Sequence, residues 1–219
     1  MTGMILSIAP AKAGISFVVR IKNFICTYWV MGIFTLSLFI GMGFGAVFSA
    51  KADNSFMESV DFLFSTSFTS RLNNSVYQTY LSSLAANFIF LATAFLMGLS
   101  IWGYALLPAV SLFKGFGIGL TAGYLCSTYM LKGIAFYLLM LLPAAFLSVI
   151  ALMLLQKEAF GFSLRLMRTV LRPDSLHTGL VKSEFLYFMK KGGQYLILSA
   201  CASLLDIGAV LLFARFFEF

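Results

Sequence analysis

The chain has 219 residues, of which 61% are hydrophobic, 16% aromatic and 11% charged, against roughly 25% charged in soluble domains. So little charge excludes a water-solvated globular protein, and unbroken apolar runs in place of alternating ten-residue segments exclude a β-barrel. The net charge of +7 lies between apolar blocks of about 20 residues, the length a helix needs to cross a bilayer. It therefore reports topology and anionic-lipid contact and not nucleic-acid binding.

In chain order, residues 1–28 carry Lys12, Arg20 and Lys22 with no acid, which reads as a cytoplasmic N-terminal segment. Trp29 then opens an apolar run to Ala50, the first spanning helix, in which Gly41 and Gly45 are spaced for close helix packing. Ala50-Lys51-Ala52 resembles a signal-peptidase site. The run is longer than a signal core and has a packing face, so it reads as an uncleaved anchor.

Residues 51–80 form an outer loop, where Asp53, Glu58 and Asp61 outnumber Lys51 and Arg71. Phe56, Val60, Leu63, Phe64 and Phe68 recur at helical spacing, which predicts a short amphipathic helix on the outer membrane surface. Residues 81–113 carry no charge but are punctuated by Gly98, Gly103 and Pro108. The second helix is predicted to end near Tyr104, with 105–113 at the inner interface or in a broken half-helix. Lys114 then marks the inner turn.

A short third helix, 115–131, aligns Gly115, Gly119 and Gly123 along one side, and Lys132-Gly133 forms its outer turn. The fourth helix, 134–156, contains Pro143, which predicts a kink or a break sealed by neighbours. Lys157-Glu158 closes it and opens a basic cytoplasmic loop, 157–192. There Phe160, Leu164, Met167 and Leu171 form an apolar stripe beside Arg165, Arg168 and Arg172. Such a face rests on anionic headgroups. A fifth helix, 193–214, and the aromatic anchor Arg215-Phe216-Phe217-Glu218-Phe219 end the chain. The expected architecture is an all-α polytopic bundle of about five transmembrane helices in one domain, 1–219, N-terminus cytoplasmic and C-terminus outside.

Convergent chemistry is sparse, and no catalytic, metal or cofactor site is expected. His177 is the single histidine, and Cys26, Cys126 and Cys201 show no CxxC spacing. Gly98-Leu99-Ser100-Ile101 lacks the second glycine of a nucleophile turn, and Gly117-Ile118-Gly119 follows no strand. Asp206 stands apart, because an acid in mid-span is expensive and turns inward, paired or protonated. Asn87, Ser148, Ser199 and Ser203 are candidate partners. With no ionisable companion in view, Asp206 reads as a structural, hydrogen-bonded residue.

Leu112-Phe113-Lys114-Gly115-Phe116-Gly117-Ile118-Gly119 after Pro108, then Lys132-Gly133, Leu141-Leu142-Pro143 and Ala202-Ser203-Leu204-Leu205-Asp206, resemble the stage II sporulation protein M family over nearly the whole chain. Ala144-Ala145 departs from the polar residues expected after that proline. The resemblance implies a non-enzymatic, multi-pass protein of the bacterial cell membrane. It implies a sporulation engulfment scaffold that holds the cell-wall-degrading stage II sporulation D and P proteins. Membrane lipids are the other expected partners, and glycine faces are compatible with a homo-oligomer. The competing expectation is a transporter or channel subunit using Asp206, for which a polar cavity must reach that residue.

Overall fold

The computed structural model describes residues 12–49, 76–171 and 178–213. The candidate cleavage site, the amphipathic segment at 56–68, Arg172, His177 and the aromatic terminus lie outside these residues. The described chain forms α1 (Lys12–Ser49), α2 (Val76–Leu99), α3 (Gly103–Phe136), a π-helical segment (Tyr137–Leu141), α4 (Leu142–Leu171) and α5 (Thr178–Phe213). Apart from the turn at 100–102, all of it is helical, as expected of an all-α bundle. Among the described residues, four stretches are long and apolar enough to cross a membrane: Trp29–Ser49, Tyr80–Leu99, Gly103–Ser127 and Leu142–Leu171.

The first and third helices lie side by side and parallel. A Cβ placed on Gly41 or Gly45 would strike the backbone of Leu112 or Phe116, and one on Gly115, Gly119 or Gly123 would strike Leu38, Met42 or the Ala46–Ser49 turn. Both helices thus present their glycines to each other. The reason is specific to lipid: with no hydrophobic drive between helices, contact must come from backbones close enough for dispersion and weak hydrogen bonding. Away from this seam, α1 exposes Trp29, Leu36, Phe39, Phe44 and Val47, a face suited to acyl chains.

The remaining helices alternate in direction. Ser100, Ile101 and Trp102 turn α2 into α3, with Gly103 N–H donating to Ser100 O at 3.1 Å. The second helix therefore ends at Leu99, and residues 105–113 belong to a continuous α3 instead of an interfacial half-helix. Pro108 sits inside α3 without breaking it. Side chains of α1 and α4 donate to the carbonyls beside it: Ser37 Oγ to Pro108 O at 2.6 Å, and Gln156 Nε2 to Leu107 O at 3.2 Å. Ser111 Oγ completes the stitch by donating to Gln156 Oε1 at 2.6 Å.

The next reversal falls at Met130, whose φ of 47° and ψ of −127° interrupt the helix, two residues before the expected Lys132-Gly133 turn. The irregularity expected at Pro143 appears on its N-terminal side. Proline cannot donate to the carbonyl four residues back, Leu139 O, and that carbonyl lies in the π segment, where bonding shifts to the wider i to i+5 pattern.

Residues 157–192, expected as a loop, are helical on both sides of 172–177. The fourth helix continues past Lys157 because its inward face does. Gln156, Ala159, Phe162 and Ser163 are all buried. Ser163 Oγ accepts from Tyr104 N–H at 3.0 Å and donates to Ser100 O at 2.7 Å, supplying from α4 the cap that α3 lacks locally. Phe188 of α5 stacks between Phe95 and Phe162, with centroids at 4.7 and 4.9 Å. Arg165, expected on lipid headgroups, pairs with Glu184 at 2.9 Å. That pair is largely exposed and contributes little, about 0–1 kcal/mol. Phe34, Phe90, Leu107, Leu152, Leu155 and Ala159 fill the core beside this end.

If the glycine seam sets the bundle, Gly119→Leu must force α1 from α3 and destabilise the protein by about 1–3 kcal/mol or prevent folding. Gly43→Leu, where a side chain meets nothing within 4 Å, should be neutral. Thermal unfolding of both variants in detergent checks the contrast.

Candidate functional site

On α3 the glycines and Lys114 point in nearly opposite directions. At about 100° per residue, Lys114, Ile118 and Thr121 centre about 130° away from Gly115, Gly119 and Gly123. Packing the glycines on α1 therefore turns Lys114 toward α2 and α5. It is not at an inner turn: it is the only charge in the Gly103–Ser127 span and lies at its middle. This corrects its reading as a cytoplasmic marker. A charge between two apolar runs looks the same in sequence whether it separates two spans or sits inside one.

Lys114 Nζ donates to Asn87 Oδ1 at 2.8 Å and rests 4.8 Å from the centroid of the Phe90 ring. Asn87 is itself 8% exposed, and its Nδ2 donates to Ser203 Oγ at 3.4 Å. Ser203 Oγ donates in turn to Ser199 O at 3.3 Å. One amide thus joins α2 to α3 on one side and to α5 on the other. Asp206, 3% exposed, lies one turn beyond Ser203 and faces the cavity that Lys114 lines. Both side chains thus stand in the wall of one space.

The cavity is about 70 Å³, room for several waters in a polar site. Asn87 and Ser83 come from α2, Lys114 and Thr121 from α3, Tyr137 from the π segment, Ser148 from α4 and Asp206 from α5. Thr121 Oγ1 donates to Gly117 O and Ser148 Oγ to Ala145 O, both at 2.9 Å. Each hydroxyl proton is committed to its own helix, so oxygen lone pairs are what these residues offer the cavity. Among the described residues, no buried side-chain nitrogen or oxygen lacks a hydrogen-bond partner.

Asp206 therefore has the ionisable companion that the sequence did not reveal. Asn87, Ser148, Ser199 and Ser203, its candidate partners, all lie on the same network or cavity. Of the residues singled out for packing, Gly41, Gly45, Gly115, Gly119 and Gly123 form the α1–α3 seam. Pro143 borders the π segment, and Lys114 and Asp206 meet at the cavity. Arg165 and Arg168 lie well away, on the last turns of α4. The missed signal was length: a charge-free run of 81–113 is too long for one span, and the predicted 115–131 helix is too short.

A charge at the centre of a spanning helix costs about 2.5–3.5 kcal/mol on insertion scales, and removing one member of a buried pair strands the other. Lys114→Met and Asp206→Asn should therefore each destabilise the protein, while the double variant loses less than their sum, by a coupling of about 0.5–3 kcal/mol. A double-mutant cycle on unfolding in detergent measures it, and additive losses would show that the two groups do not interact.

No curated protein and no solved structure matches the chain. The family of stage II sporulation protein M matches residues 24–218, a span that includes the α1–α3 seam and every residue of the cavity. With four helices able to cross a membrane and that match, the chain belongs to the stage II sporulation protein M family and is a sporulation membrane protein.

Proposed function

We propose that the protein is a non-enzymatic, multi-pass scaffold of the bacterial cell membrane that recruits or anchors peptidoglycan-remodelling proteins during engulfment. The stage II sporulation D and P proteins are the expected partners. Five spans are part of this reading, with the N-terminus inside and the C-terminus outside. The support for α5 as the fifth span is its depth: Asp206 shares a cavity with Lys114, which lies at mid-span.

The observation that carries the scaffold is how α1 is used. One face is consumed by the seam with α3, whereas the opposite face is exposed along the whole Trp29–Ser49 span, and Gly32 and Gly43 have nothing within 4 Å. In lipid, open glycines on an apolar helix allow a second helix to approach. The seam glycines are not the partner surface, because they are already covered. A transporter or channel subunit is the second reading, and the polar cavity reaching Asp206 favours it.

A photo-cross-linking residue at Phe44 or Val47 should capture a cell-wall hydrolase in sporulating membranes, whereas one at buried Leu91 should not. Gly43→Leu should reduce co-purification of that hydrolase without changing the fold. Complexes that survive bulky changes along the outer face of α1 would remove the scaffold surface. For topology, a chain carrying Cys126 as its one cysteine, which is exposed at the end of the α3 span, should react with a membrane-impermeant thiol reagent on intact cells. Labelling only after lysis would invert the assignment.

A further inference from the structure

The Lys114 cavity has an arrangement that a sealed structural ion pair does not need. Its charges sit on different helices, Lys114 on α3 and Asp206 on α5. Asn87 from α2 holds the ammonium, and space for several waters adjoins them. The other titratable group lining the cavity is Tyr137 of the π segment; Ser83 and Asn87 of α2 and Ser148 of α4 complete the polar wall without ionising. The Trp29–Ser49 span of α1, packed on the far side of α3, contributes no ionisable side chain.

Charge balance constrains what such a cavity can hold. In a low-dielectric interior the Asp206 carboxylate requires about one compensating positive charge, and two would be as costly as none. The Lys114 ammonium supplies that charge. If Nζ gives a proton to cavity water, a monovalent cation can take its place with no change in net charge. The walls suit this occupant. The carboxylate, the Thr121 and Ser148 lone pairs, the Tyr137 phenol and the Asn87 carbonyl oxygen, once released by Lys114, are all hard oxygen donors. We propose that the cavity is a cation-exchange site, in which one monovalent metal cation and one proton on Lys114 compete for the charge opposite Asp206.

The balance is explicit: the protonated lysine and free cation become the neutral lysine, the bound cation and a proton released to water. No bond other than N–H is broken. Binding must therefore weaken as pH falls, by about tenfold for each unit throughout the range where Lys114 holds its proton in the cation-free protein. The inference takes up the cavity-based second reading and goes beyond it by naming the ligand class. It requires binding only, so binding without flux would keep the site and remove the transporter.

The test uses the full-length protein in neutral-lipid nanodiscs at about pH 7, weakly buffered with a pH-indicator dye. Sodium, potassium or the bulky N-methylglucamine cation is added as the chloride. The expected result is saturable release of about one proton per chain with sodium or potassium and none with N-methylglucamine. Lys114→Arg keeps the positive charge but cannot release a proton, so it should abolish both release and binding while preserving thermal stability. Asp206→Asn should also abolish release and binding, and because that variant is destabilised, Lys114→Arg supplies the test in a protein of unchanged stability. Absence of release from wild-type protein, equal release with N-methylglucamine, or unchanged release from Lys114→Arg would each overturn the proposal.

Discussion

The contact between α1 and α3 governs the rest of the molecule. In lipid, two apolar helices gain nothing by hiding surface from water, so they associate only where backbones come close. Gly41 and Gly45 on one helix and Gly115, Gly119 and Gly123 on the other meet that condition together. Their alignment also fixes the rotation of α3. Once the glycines face α1, Lys114 has one place to go, the interior bounded by α2 and α5. The close seam and the mid-membrane charge are two consequences of one helical register.

A second constraint is that backbone groups freed inside the membrane need partners from the protein. The turn before Gly103 leaves such groups open at the start of α3, and α4 reaches this end of the helix with two side chains. Gln156 reaches Leu107 O and Ser163 reaches Tyr104 N–H and Ser100 O. This explains why α4 does not stop at Lys157, where the charge pattern suggests an exit from the membrane. The helix must extend at least to Ser163 to cap α3, and Phe162 then carries it into the aromatic stack with Phe188. A basic outer face and a packed inner face coexist on the same turns.

The features legible in the sequence are those with a period. Glycines four residues apart identify a packing face whatever the topology, and long apolar runs identify spanning helices. Boundaries without charge are not legible in the same way. The turn at Ser100, Ile101 and Trp102 contains no lysine or arginine, so the nearest charge, Lys114, took its role and shifted the start of α3. Asp206 was recognisable as unusual because an acid in an apolar run has no bland topological meaning. Its companion was hidden because a lysine does have one. The Asn87 bridge could not be read at all, since it depends on three helices meeting at one depth.

The irregularity before Pro143 borders the cavity: the π segment widens the chain there, and its first and last residues, Tyr137 and Leu141, stand in the wall. Ala144 and Ala145, which depart from the polar residues expected at these positions, also line the space and are too small to fill it. Hydration changes the energetics of the ionic groups beside it. Drying a lysine and an aspartate completely costs several kcal/mol for each ion, which their attraction offsets only with excellent geometry. Water in a space of this size would lower that cost by solvating both groups. The small residues after Pro143 are therefore part of the charged site, because they leave open the volume that Lys114 and Asp206 share in the middle of the bundle.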